Sequence, residues 1–205
     1  ATARGLVPSV VDVGSVSTGG TVDYAVTIPA GMTYARFAMF DADVSPASDI
    51  DLEVYNAAGT LVASSGGATS TEAANLLNPT AGTYTVRVVG FATGAGAASF
   101  KLHTFLLGSA AAGNMLVTAP ASAVIGATGT IGITTSGLTV GTRYLGSVAY
   151  AGVTNRSLDE EHHREAITSR PALLGGVARQ TQHGGQRTIR VSIVHEKGGA
   201  IVRAV

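Results

Sequence analysis

DIDLEVYNAAGTLVASSGG at residues 49–67 and NPTAGTYTVRVVG at residues 78–90 decide the fold. Ile50, Leu52 and Val54 alternate with Asp51, Glu53 and Tyr55, the period-2 pattern of a half-buried strand. Asn56–Gly59 reads as a hairpin turn into Thr60–Ala63. A corner at Pro79–Tyr84 then launches another strand, with Tyr84, Val86 and Val88 on one face. Nothing in the stretch has the makings of a nucleophile, a base or a cofactor loop.

Outward from this stretch the same period recurs. Thr21–Ile28 places Val22, Tyr24, Val26 and Ile28 on one face, and Pro29-Ala30-Gly31 turns the chain. Tyr34–Asp41 reads as a strand, and so does the run through Phe100, Leu102, Thr104 and Leu106. Glu72–Leu77 reads equally as a strand or a short helical turn. About seven short strands between glycine-rich turns predict an all-β chain whose residues 1–108 form an antiparallel β-sandwich, jelly-roll or Ig-like. Residues 109–113 read as a linker. Residues 114–152 resume strand character at Met115–Ala119, Gly129–Thr135 and Thr142–Ala151, an Ig- or FnIII-like segment. Three strands are too few for an independent sandwich, so this segment needs a neighbour or the residues beyond it.

Composition shifts near Val153. Residues 153–205 hold eight of the thirteen Lys and Arg and four of the five His. With eight basic against five acidic residues this tail carries +3, whereas residues 1–152, with five against eight, carry −3. Ser157–Thr168 reads as a short helix capped by Ser157, and Thr188–Val194 as a weakly alternating strand. The rest has no clear period, and the tail reads as foreign to the preceding fold. The chain opens at Ala1 with neither an initiator Met nor a signal-peptide core, and reads as a fragment, a processed product or an engineered piece.

The absence of cysteine excludes a disulfide framework, a thiolate metal site and a Cys nucleophile. Zero net charge and scattered basic residues argue against a nucleic-acid partner. No run of about 18 apolar residues exists, so no membrane span is expected.

Asp41, Asp43, Asp49 and Asp51 place four carboxylates within eleven residues. Calcium takes six to eight oxygens, and loop carboxylates supply them. Asp49 and Asp51 share a face if both lie in a strand. The competing reading is turn capping, since aspartates bond their own backbone at strand ends. His162 and His163 stand beside Glu160, Glu161 and Glu165. Adjacent histidines diverge by about 100° on a helix and no HExxH order is present, so a solvated charged segment is expected there. His103 is expected to face outward from its strand. Tyr34, Tyr55, Phe91 and Tyr150 fall at strand ends or turns and are the aromatic candidates for ligand contact.

Taken together, DIDLEVYNAAGTLVASS, NPTAGTYTVRVVGFA and SFKLHTFLL resemble a bacterial pre-peptidase C-terminal (PPC) domain over residues 12–107. NMLVTAP and GLTVGTRYLGSVAYAG are similar to the strand-rich piece that ends many actinobacterial subtilisin-like proteases. The resemblance implies a non-catalytic accessory module of a secreted bacterial serine protease, one that aids substrate binding, stability or maturation. Its partners would be a protease catalytic domain in cis and an extracellular polypeptide substrate. Calcium is the implied ion, with Asp49 and Asp51 on the family's acidic strand-start motif. Residues 153–205 depart from the family. The alternative is an extracellular adhesion module that binds carbohydrate or protein without an attached protease.

Overall fold

The computed structural model describes residues 2–121, 131–149, 187–189, 191–196 and 199–204. The chain divides into one unit spanning Val7–Ser109 and a second that joins the segment up to Leu6 to the chain from Ala110 onward.

In chain order the first strand is β1 (Thr2–Pro8). Eight strands of the Val7–Ser109 unit follow: β2 (Val10–Val16), β3 (Thr21–Ile28), β4 (Met32–Ala38), β5 (Asp49–Tyr55), β6 (Leu61–Ser65), β7 (Ala73–Leu77), β8 (Gly82–Ala92) and β9 (Ala98–Gly108). They form two antiparallel four-stranded sheets, ordered β2-β9-β4-β7 and β3-β8-β5-β6. The pairs β5·β6, β4·β7, β3·β8 and β2·β9 nest inside one another along the chain. That nesting is a single antiparallel ribbon, tipped by the β5–β6 hairpin and rolled into two layers. The sandwich is a jelly roll.

The alternation seen in the sequence is the alternation of burial. Along β5 the residues Ile50, Leu52 and Val54 are fully buried, and their odd-numbered neighbours are half-buried. Val86 and Val88 of β8 face the same core, and Phe37, Met39, Phe100 and Leu102 meet them from the other sheet. Burying each such side chain stabilises the fold by roughly 1.5–3 kcal/mol. Ala73–Leu77, ambiguous in the sequence, is a strand because Ala74 and Leu76 pack on this core as the edge of the sheet.

Two corners are set by single residues. The Tyr84 hydroxyl donates to the Thr80 carbonyl, 2.9 Å away, and ties the start of β8 to the turn before it. Gly82, which opens β8, has φ +149°, outside the range open to other residues. Gly90, near the far end of β8, is buried beneath the β2–β3 turn: a Cβ there would lie 2.2 Å from the Ser17 carbonyl oxygen.

β2 has no counterpart in the sequence reading. It is an edge strand whose Val10 and Val13 are 66% and 71% exposed, while Asp12 and Gly14 occupy register positions opposite the core residues Leu102 and Phe100. Of its valines only Val16 reaches the core, so its apolar residues do not trace its inner face. The Tyr24 hydroxyl donates to the Val13 carbonyl on this strand, 3.1 Å away.

In the second unit, β10 (Met115–Thr118), β11 (Ile131–Thr135) and β12 (Tyr144–Ala149) precede three strands of the tail, β13 (Arg187–Ile189), β14 (Val191–Glu196) and β15 (Gly199–Ala204). β10, β11 and β13 form one sheet, β14 pairs with β15, and β1 pairs with β12. The expected boundary at residue 1 is thus corrected. Most of β1 belongs with the later strands, and Asn114 brackets Leu6 by accepting from its N–H (2.7 Å) and donating to its carbonyl (2.8 Å). The single Thr188–Val194 strand is instead two, since Thr188 lies in β13 and Val194 in β14. The expected Ser157–Thr168 helix lies outside the described residues.

Candidate functional site

The start of β5 brings carboxylates together. Asp49 and Asp51 stand two apart on the face opposite Ile50 and Leu52. The loop between β6 and β7 folds against this end. Its Ser70, fully buried, donates to the Ser48 carbonyl at 2.6 Å. Gly66 and Gly67 have no side chain to hold the loop away: a Cβ at Gly66 would sit 3.1 Å from Asp51 Oδ1, and one at Gly67 3.0 Å from Glu72 Oε1. The Asp51 carboxylate accepts from the Gly67 N–H.

Glu72 is near enough to act on Asp51 by its charge and was not singled out in the sequence. It is only 6% exposed, and its Oε2 accepts from the Ser65 hydroxyl. The backbone around it is fixed too, because Glu72 N–H donates to the Met39 carbonyl and the Met39 N–H to the Glu72 carbonyl. Burial raises the Asp51 pKa above the ordinary carboxyl value, and the neighbouring charges of Asp49, Glu72 and Glu53 raise it further. Asp49 Oδ1 and Asp51 Oδ1 are both buried without a hydrogen-bond partner. Buried carboxylate oxygens left unmatched are costly, and a cation is one way to match them.

The four aspartates named from the sequence are not gathered into one set. Asp41 and Asp43 form a short 3-10 turn after β4. Asp41 is exposed, and its N–H donates to Thr71 Oγ1 at 3.1 Å. Asp43 is turned to other partners: its Oδ2 lies 3.3 Å from His103 Nε2 and its Oδ1 3.8 Å from Lys101 Nζ. The correction is physical. A basic pair on β9 claims Asp43, so Asp49 and Asp51 remain and Glu72 is added. Among the described residues, no group of three or more His, Asp or Glu side chains is placed to hold an ion by itself. An ion at Asp49 and Asp51 would draw further oxygens from backbone carbonyls or water, as calcium does.

His103 also departs from expectation. It points away from the core, yet it is only 5% exposed. Nδ1 lies 3.1 Å from Ser9 Oγ, Phe40 meets the ring edge-on at 5.3 Å between centroids, and Phe105 stacks on it at 6.4 Å. Serine, histidine and aspartate thus lie in a hydrogen-bonded line. The ring is wedged between aromatic neighbours, and the line ties β9 to the 3-10 turn and to the segment before β2.

Of the aromatic candidates, Tyr34 is buried, with its hydroxyl donating to Asn75 Oδ1 at 2.7 Å. Phe91 is 65% exposed. Tyr55 is half-buried beneath the Arg87 guanidinium, 5.1 Å from its ring centroid, and its hydroxyl donates to Glu53 Oε2 at 2.6 Å. Tyr150, His162, His163, Glu160, Glu161 and Glu165 lie outside the described residues. Among the described residues no helix is long and apolar enough to cross a membrane.

Compared with protein-family models and with curated proteins, the chain matches none.

Proposed function

We propose that the jelly roll is a non-catalytic accessory module of a secreted bacterial subtilisin-like protease, and that calcium at the start of β5 rigidifies it. The observation that carries the calcium part is the pair of buried, unpartnered oxygens, Asp49 Oδ1 and Asp51 Oδ1. Asp49 and Asp51 would hold the ion, with Glu72 beside them. Bound calcium supplies charge neutralisation at this end of the sandwich. The chain's own residues do the rest: the Gly66–Gly67 backbone closes on Asp51, and Ser70 anchors the loop to Ser48. The accessory reading is supported by where the two motifs of the resemblance fall. The acidic pair heads β5 and the Gly82–Tyr84 corner heads β8, which are neighbours in one sheet.

The calcium test is thermal. Calcium at about a hundred times its Kd stabilises the folded state by roughly 2.7 kcal/mol. For a unit of roughly 100 residues that raises Tm by about 10–20 °C over excess EGTA. The shift disappears in Asp49→Asn and Asp51→Asn. Identical melting in saturating calcium and in EGTA sinks the ion site. The protease context is tested by the reading frame upstream of the Ala1 codon, where a subtilisin-like catalytic domain is expected. A surface anchor or an array of similar modules there instead favours an adhesion module.

A further inference from the structure

The outer face of the β3-β8-β5-β6 sheet holds an open depression of about 510 Å³, whose floor includes Thr83, Thr85 and Arg87 of β8. Asp23 of β3 stands directly across from Arg87, and Tyr55 of β5 directly across from Thr85. The β5–β6 hairpin forms a wall through Asn56, Ala57 and Gly59. All of these residues belong to the jelly roll.

Three features of this lining narrow its ligand. The first is charge. Arg87 gives Nε and Nη2 to the two Asp23 oxygens at 2.7 and 2.8 Å, so one cation and one anion cancel. A surface built to capture an anion would leave its arginine unmatched. The second is order. The bidentate pair and the stack on Tyr55 lock the guanidinium plane, and a preorganised group loses less entropy when a ligand arrives. Asn56 is fixed as well, since its Oδ1 accepts from the N–H groups of Ala58 and Thr60, 3.0 Å each, leaving Nδ2 as the free end of the amide. The third is polarity. Hydroxyls, an amide and a guanidinium converge, and Tyr55 is the sole large ring. Polypeptide ligands seek an open strand edge or apolar side-chain pockets, and the middle of a polar sheet face offers neither.

We propose that this depression is a binding subsite for a neutral polysaccharide. Sugar hydroxyls both donate and accept, matching Thr83, Thr85, Asn56 and the Arg87–Asp23 pair, and sugar C–H faces pack on the exposed part of Tyr55. The inference goes beyond the accessory-module reading and does not depend on calcium.

Affinity electrophoresis of the whole chain tests it, in native gels cast with galactomannan, xylan or laminarin as neutral probes, and with heparin or gelatin as anionic and polypeptide probes. Retardation is expected in at least one neutral gel. Arg87→Lys, which keeps the charge but loses the fork, and Thr85→Val, which loses one hydroxyl, each weaken it about tenfold. Thr83→Val serves the same purpose should either variant melt early. Retardation is the same in calcium and in excess EGTA, so failure of the calcium reading is told apart from failure here. No retardation in any neutral gel overturns the proposal, as does retardation by heparin or gelatin alone. Full binding by folded Arg87→Lys, Thr85→Val and Thr83→Val also overturns it.

Discussion

Gly90→Ala tests how tightly the jelly roll is closed. Gly90 sits in β8, where its N–H donates to the Gly20 carbonyl at 3.0 Å and its carbonyl accepts from the Gly19 N–H at 2.8 Å. An added Cβ would lie 2.2 Å from the Ser17 carbonyl oxygen and 2.8 Å from the carbon behind it, where real Cβ contacts stop at 3.0 Å. Both obstacles are backbone, so no side chain can swing aside. The β2–β3 turn must lift, and both hydrogen bonds go with it. Each lost bond costs about 0.5–1.5 kcal/mol, and overpacking adds about 1–3 kcal/mol. The sum is about 2–6 kcal/mol, a fall in Tm of at least roughly 10 °C for a unit of this size. Gly96→Ala is the matched control, because nothing lies within 4 Å of its added Cβ and its φ is not positive. It should stay within about 0.5 kcal/mol of the parent. Melting by circular dichroism separates the two, and hydrogen exchange at Gly19 and Gly90 should speed up in the Gly90 variant. If Gly90→Ala melts within about 4 °C of the parent, roughly 1 kcal/mol, the turn is not seated on β8 as described.

Two further substitutions probe the corner and the acidic end. Tyr84→Phe removes the bond to the Thr80 carbonyl and should cost about 1 kcal/mol, or about 4–8 °C; an unchanged Tm refutes the corner. For Asp51 the sign follows from its raised pKa. The folded state favours the protonated carboxyl, so this stabilisation is complete below the ordinary unfolded value, about 3.9, and is lost as pH rises through the higher folded value. In EGTA at neutral pH, Asp51→Asn should therefore melt above the parent, and the gap should close in acid. A variant that melts lower in EGTA at neutral pH contradicts the buried, crowded carboxylate.

The sequence is most legible where one face is buried and the other wet. β3, β5, β8 and β9 announce themselves through Val22 to Ile28, Ile50 to Val54, Tyr84 to Val88 and Phe100 to Leu106. β2 is silent because edge position lets Val10, Val11 and Val13 face solvent and puts Asp12 and Gly14 at inner register positions, leaving Val16 alone to reach the core, so its period carries no message. The site divides along the same line. Asp49 and Asp51 are local, two apart in one strand. Glu72 joins them only through the loop between β6 and β7, and Asp43 leaves them only because His103, sixty residues on, reaches it. Arg87 and Asp23 meet through strand register across sixty-four residues. No local pattern encodes such pairings; they come from the way the ribbon is rolled.

The rolling has a mechanical consequence. The outermost pair of the ribbon is β2·β9, with Val10 opposite Thr104 and Val16 opposite Ala98. The chain therefore comes into the sandwich and leaves it at the same end of the same two-stranded ladder. A load applied through the flanking chain pulls these strands apart like a zipper, breaking hydrogen bonds one after another instead of shearing them all at once. Within the sandwich β2 would yield first, at low force, with the inner pairs of the ribbon still closed.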